Sequence, residues 1–143
     1  MSRATEARER ARFLRRLVVG MVVFFGLGTI VSNGLSLLAT DTARQELGAI
    51  PYPLFWFELA MGVLYLAESV GIGLRKRCAV GGAWGIAVVH ALSASALWLW
   101  YLAGNPVASG TLMVELAREG FWVLVGLYLW RSIAPPINPR RQV

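Results

Sequence analysis

The chain has 143 residues, of which 57% are hydrophobic and 15% charged, with a net charge of +6. That is the length of one domain, too apolar for an ordinary soluble fold, with its charges gathered in short stretches between long apolar blocks. The basic residues lie in connectors and tails, which leaves no basic face for nucleic acid. Cys78 is the only cysteine, which excludes an internal disulfide and a cysteine metal cluster.

In chain order, residues 1–16, MSRATEARERARFLRR, form a basic cytoplasmic segment. A short charged helix at the inner membrane surface is expected there, with Glu6 and Arg10 spaced i,i+4. Residues 17–39 then run without a charge. This stretch is too long for the core of a signal peptide, and no clear A-x-A site follows it, so it reads as an uncleaved first membrane helix. The connector TDTARQELGAIPYP carries the stop signals Gly48, Pro51 and Pro53. A second helix over 53–74 contains Glu58 and Glu68. The basic turn Arg75-Lys76-Arg77-Cys78 leads to a third helix over 80–103, with His90 inside. The uncharged connector GNPVASG leads to a fourth over 111–133, which carries Glu115, Arg118 and Glu119 in its first half. Residues 135–143 form a tail.

Each segment has about the 20 residues that a helix needs to cross hydrocarbon, and lipid leaves a crossing backbone no partner but its own helix. The short connectors force neighbouring helices to run antiparallel. The expected fold is therefore all-α, an integral membrane four-helix bundle spanning residues 17–134. Basic residues crowd the N-terminal segment, the second connector and the C-terminal tail, while the first and third connectors hold only Arg44. The positive-inside bias then places both termini in the cytoplasm of a bacterial-type inner membrane. Tyr52, Phe55, Trp56, Trp98, Trp100 and Tyr101 would form an outer aromatic belt, and Trp84, Tyr128 and Trp130 an inner one.

Orientation gives each ionisable residue a depth. At 1.5 Å per residue, Glu58 and Glu115 lie roughly 7–8 Å below the outer edge, with Arg118 and Glu119 roughly 4–6 Å deeper. Asn33 comes from the outer half of the first helix, so three helices contribute to one polar layer. His90 falls about 15 Å from the inner end of its helix, near the midplane, and Glu68 is an inner carboxylate. A charge at a helix centre costs roughly 2.5–3.5 kcal/mol on insertion, against about 0.3–0.6 returned by each Leu-like residue. The fourth helix is thus marginal alone and needs partners on its charged face. Three carboxylates against one arginine would also require the layer to hold a proton.

Other chemistries find little support. One histidine cannot supply two axial haem ligands. A metal site would need His90 with carboxylates from other helices, and nothing in the spacing favours that; no metal and no cofactor is expected. No catalytic residue is identifiable. Gly71-Ile-Gly73 is no phosphate loop, because no strand precedes it.

Four stretches carry a family resemblance: RLVVGMVVFFGLG, IPYPLFWFELAMGVLYLAESVGIGLRKRCAV, VVHA, and the glutamate early in the fourth helix. Together they resemble the DoxX family of small four-helix membrane proteins. Glu58-Leu59-x-x-Gly62-x-x-Tyr65 is similar to that family's E-L-x-x-G-x-x-L stretch, and Arg75 to Arg77 to its basic turn. The basic residue that commonly ends the family's first helix is absent; Thr29 to Gly34 stands in its place. The resemblance implies an accessory or assembly subunit of a membrane redox system, quinone-linked, rather than an enzyme in its own right. Its partners would be the lipid bilayer, a larger membrane complex or further copies of the chain, and a quinone or lipid.

Two other functions fit the residues. In a proton-coupled small-molecule carrier the outer carboxyls would take up protons, with His90 and Glu68 continuing the path inward. In a lipid isomerase His90 would work with a carboxylate as acid and base. The accessory reading expects His90 and Trp98 to line a cavity shared with Glu58, Glu115, Arg118 and Glu119.

Overall fold

A computed structural model describes residues 3–39, 52–107 and 109–133. Within them lie four helices and no strand: α1 Arg3–Leu38, α2 Tyr52–Gly73, α3 Cys78–Leu102 and α4 Ser109–Ile133. The first connector's Arg44, Gly48 and Pro51, and the tail with Arg140 and Arg141, lie outside the described residues.

One element departs from expectation. The basic N-terminal segment and the first apolar stretch are a single unbroken helix of 36 residues, about 54 Å long. Its junction, ARFLRRLVVG, has no proline, and Arg and Leu are strong helix formers, so nothing stops the helix at the change from charged to apolar. No ion pair joins Glu6 to Arg10 on it.

By length and composition, three helices are long and apolar enough to cross a membrane: Thr5–Leu38 within α1, Tyr52–Gly73 and Cys78–Leu102. α4 has 25 residues, enough for the length. Its Glu115, Arg118, Glu119 and Arg131 keep it out of that set. The outer faces explain how α4 can still stand beside the others. Met113, Leu116, Leu124 and Leu127 of α4 are exposed, as are Phe24 and Leu35 of α1, Val70 of α2, and Leu92 and Leu99 of α3. A protein that is apolar outside as well as inside suits lipid rather than water. α4 turns its apolar side outward and its Glu115 inward, where Glu115 is buried.

Two connectors use the same stop. At the end of α2, Arg75 N–H donates to Ile72 C=O and Lys76 N–H to Gly71 C=O, at 3.1 and 3.0 Å. At the end of α3, Gly104 N–H donates to Tyr101 C=O and Asn105 N–H to Trp100 C=O, at 3.0 and 3.4 Å. Both are Schellman caps, which need one residue with left-handed backbone. Gly104 takes it at φ 85°, as a glycine can without strain. At the other cap the residue is Arg75, at φ 55°.

In lipid, apolar burial drives helix association weakly, so close approach must hold the seams. α1 and α2 meet at paired glycines: a Cβ on Gly62 would lie 2.7 Å from Ile30 Cγ1 and 3.1 Å from Gly26 C=O. A Cβ on Gly26 would lie 2.9 Å from Leu66 Cδ2. α4 lets the Trp84 ring of α3 lie against Gly126, at 3.1 Å from where a Cβ would be. α2 and α3 touch near their turn, where Ala79 packs on Gly71. The buried core then forms from Val22, Met61, Tyr65, Ile72, Trp122 and Leu129. Tyr52, Trp56, Trp98, Trp100 and Tyr101 are exposed, but Phe55 is buried and not part of an outer belt.

Candidate functional site

The inward face of α4 meets α2 and α3 through a continuous chain of polar side chains. Arg118 Nη1 donates to Glu58 Oε2 of α2, and to Glu115 Oε1 of its own helix at 3.3 Å. Glu115 Oε2 lies 3.3 Å from His90 Nδ1 of α3. His90 Nε2 in turn bonds the hydroxyl of Tyr65, back on α2. Glu115 as a carboxylate can only accept, so Nδ1 carries the proton and Nε2 accepts from Tyr65. His90 and Tyr65 are 0% exposed, and Glu58 and Glu115 are buried.

Local helix geometry explains the set. Glu115 and Arg118 are i,i+3 and share a face. Glu58 and Tyr65, seven residues apart, are two turns apart on one face of α2, so that helix holds both ends of the chain. An aromatic wall closes the inner end: the Tyr65 ring is 4.8 Å from Trp122 and 5.7 Å from His90, and Phe57 meets His90 edge-on at 6.2 Å. Trp122 meets Phe121 edge-on, and Phe121 stacks on Phe25 of α1 at 4.6 Å.

A cavity of about 310 Å³ reaches this chain at its Arg118 end. Ser32, Asn33 and Ser36 of α1, Glu58 of α2, and Thr111, Glu115 and Arg118 of α4 lie along it. The Arg118 side chain is 14% exposed, more than any other member of the chain. Glu58 Oε1 is buried and has no hydrogen-bond partner among the described residues. The cavity is therefore lined by a partly exposed guanidinium and by a glutamate whose second oxygen is buried without a donor.

The residues singled out in the sequence thus separate into three groups. Glu58, Glu115, Arg118 and His90 come together in direct contact. His90 was expected nearer the midplane, roughly 7 Å deeper than Glu115; two long side chains reaching towards each other close that gap. Asn33 lines the cavity but spends its amide on Thr29 C=O, at 2.9 Å. Glu119, Glu68 and Trp98 do not join. Successive helix residues are 100° apart, so Glu119 sits on the far side of Glu115 from Arg118, half-buried and with no ion pair. Glu68 lies beside Gly82 in a separate groove between α2 and α3, and its buried Oε1 has no partner. Trp98 is exposed, and its ring lies tilted against Tyr101 at 5.9 Å. Tyr65 was missed as a functional group, being read only as the last position of a motif. Its seven-residue spacing from Glu58 was the available signal.

The spacing argument also missed a donor set. Glu58, His90 and Glu115 each offer a ligand atom, all within 4.8 Å of one another. Two carboxylates and an imidazole could hold a divalent cation. Arg118, however, already bonds both carboxylates and supplies their positive charge, so an ion would have to displace it. No protein-family model, curated protein or solved structure matches the chain, so the site is read from its own chemistry.

Proposed function

We propose that this is a small integral membrane protein that binds the polar head of a quinone-type lipid, as an accessory or assembly subunit of a membrane redox system. One observation carries the reading: Arg118 and Glu58 line one cavity, and Glu58 keeps a buried oxygen, Oε1, without a partner among the described residues. A quinol offers a hydroxyl to the carboxylate, and the oxidised quinone offers a carbonyl oxygen to the guanidinium. Quinone reduction also takes up protons, and the chain Glu58–Arg118–Glu115–His90–Tyr65 provides groups that can hold them behind the headgroup. The resemblance to the DoxX family points the same way.

In this reading α4 also crosses the bilayer, its inward charges satisfied by α2 and α3. The four helices run antiparallel with both termini cytoplasmic. The order of contacts supports that for α1 and α2, since Gly26 meets Leu66 while the later Ile30 meets the earlier Gly62. The excess of basic residues at the N-terminal segment and at Arg75–Arg77 supports the orientation.

The carrier reading has less support. The polar chain ends at Tyr65 against Trp122, and Ile72 and Leu129 lie buried beyond it, while Glu68 opens elsewhere. A lipid isomerase would need His90 at the cavity, and His90 is fully buried behind Glu115.

The test uses the full chain in phosphatidylcholine nanodiscs, titrated with a short-chain benzoquinol and read by tryptophan fluorescence. Saturable quenching is expected, weakened at least about tenfold by Glu58→Gln and by Arg118→Gln, the loss for a hydrogen bond to a charged group. Absence of saturable binding, or equal binding by both variants, rules the quinone site out. Co-purification of a larger complex in mild detergent tests the accessory role.

A further inference from the structure

A second built site lies away from the carboxylate chain. A cavity of about 440 Å³ is bounded by Arg8, Arg12 and Arg15 of α1, Arg75 of the α2–α3 turn, and Tyr128 and Ser132 of α4. We propose that it is a binding site for the headgroup of an anionic phospholipid.

Three observations carry this. First, the arginines converge because α1 is continuous. Residues 8, 12 and 15 follow the i, i+4, i+7 spacing of one helix face, which exists only if the basic segment is an extension of the membrane helix. Second, the charges are uncompensated among the described residues: no described carboxylate lines the cavity, and none of the four arginines has an acidic partner there. Four guanidiniums gathered without a counter-charge repel one another, a cost that a bound phosphate reverses through paired N–H···O bonds. Third, Arg75 holds left-handed backbone at φ 55° in a cap where its counterpart is Gly104. A strained non-glycine residue at such a position points to a job for its side chain.

The remaining chemistry suits a phosphodiester with an attached apolar body. Tyr128 and Ser132 add hydroxyls, while Ala11, Leu129 and Ile133 give the cavity an apolar part. The cavity sits where α1 passes from its charged to its apolar half, at Arg15–Arg16–Leu17, the level of lipid headgroups. Free phosphate shares the anionic chemistry, but it would leave the apolar part of the lining unused.

The experiment reconstitutes the full chain in vesicles of equal phosphatidylglycerol and phosphatidylcholine, then measures by native mass spectrometry which lipid stays on the protein after detergent extraction. Wild type is expected to retain phosphatidylglycerol at least about tenfold over phosphatidylcholine. R12Q/R75Q should lose that preference. R10Q/R131Q removes the same charge from the same end but outside the cavity. It should keep a clear preference for phosphatidylglycerol, because charges outside the cavity attract anionic lipid only generically. If R12Q/R75Q loses no more than R10Q/R131Q, the cavity is not the site. If millimolar pyrophosphate binds the wild type and phosphatidylglycerol is not retained, a soluble anion is the occupant and the lipid assignment fails. Circular dichroism of both variants confirms that each remains helical. The outcome is independent of benzoquinol binding at Glu58.

Discussion

Arg118 is the residue on which the buried chain depends, because it alone gives Glu58 and Glu115 a positive partner. Arg118→Met should leave two buried carboxylates short of charge and cost about 3–5 kcal/mol. Adding Glu58→Leu should recover part of that loss, since it removes one of the two stranded carboxylates and leaves Glu115. Glu119→Gln, which breaks no ion pair, should stay within about 0.5 kcal/mol. Denaturant titration in mixed micelles reads all three, and a large Glu119→Gln effect would mean that the cluster's boundary is drawn wrongly. Arg75 predicts a gain instead. Arg75→Gly relieves left-handed backbone and should stabilise by about 1 kcal/mol, seen as a higher melting temperature. Much of this site was legible in the sequence, because charges within apolar runs are too costly to be idle: Glu58, Glu115, Arg118 and His90 stood out on that ground. Tyr65 did not, because a tyrosine in a membrane helix carries no such cost. Glu119 shares the face of Glu115 at i,i+4, yet it lies about 100° round the helix axis from Arg118 and forms no ion pair among the described residues.

At the scale of elements, the seam between α1 and α2 rests on two glycines whose missing side chains let the backbones approach. Gly62→Ala would place a methyl 2.7 Å from Ile30 Cγ1 and 3.1 Å from Gly26 C=O, where backbone cannot give way. A loss of about 1–3 kcal/mol is expected. Gly20→Ala and Gly28→Ala meet nothing within 4 Å and should be neutral or gain up to about 1 kcal/mol from helix propensity. Unfolding of the three variants under one detergent condition checks the contrast; equal effects would show that the seam does not depend on close approach. Helix existence was readable from apolar run length, and the ends from Gly104 and the basic turn. The continuity of α1 was not. Binary patterning places a boundary where charge gives way to Leu17, but the backbone responds to propensity, which does not change there. The left-handed backbone of the α2 stop was hidden as well, since Arg75 and not a glycine adopts it.

Across the whole molecule, Glu68 and Cys78 report on surroundings and orientation. Glu68 borders a groove of about 380 Å³ between α2 and α3, floored by Gly71, Gly82 and Gly85, whereas Glu58 and Glu115 are held by Arg118. A lipid-soluble carbodiimide should therefore modify Glu68 in preference to the other two, as peptide mass spectrometry would show; labelling of Glu58 first would mean that the ion pair opens readily. Cys78 is exposed in the basic turn. If both termini are cytoplasmic, as proposed, a membrane-impermeant maleimide should label it only after cells are permeabilised, and labelling of intact cells would invert the topology. The unbroken α1 has a mechanical consequence as well. It carries Arg8, Arg12 and Arg15 near one end and Ser32, Asn33 and Ser36 near the other, with no hinge between them. A rigid rod works as a lever about its crossing point with α2 at Gly26. Arg12 and Asn33 are about 30 Å apart along it, so a tilt of about 5° shifts one end relative to the other by about 3 Å. A ligand that tilted the arginine end by about 5° would move Asn33, seven residues beyond the pivot, by about 1 Å.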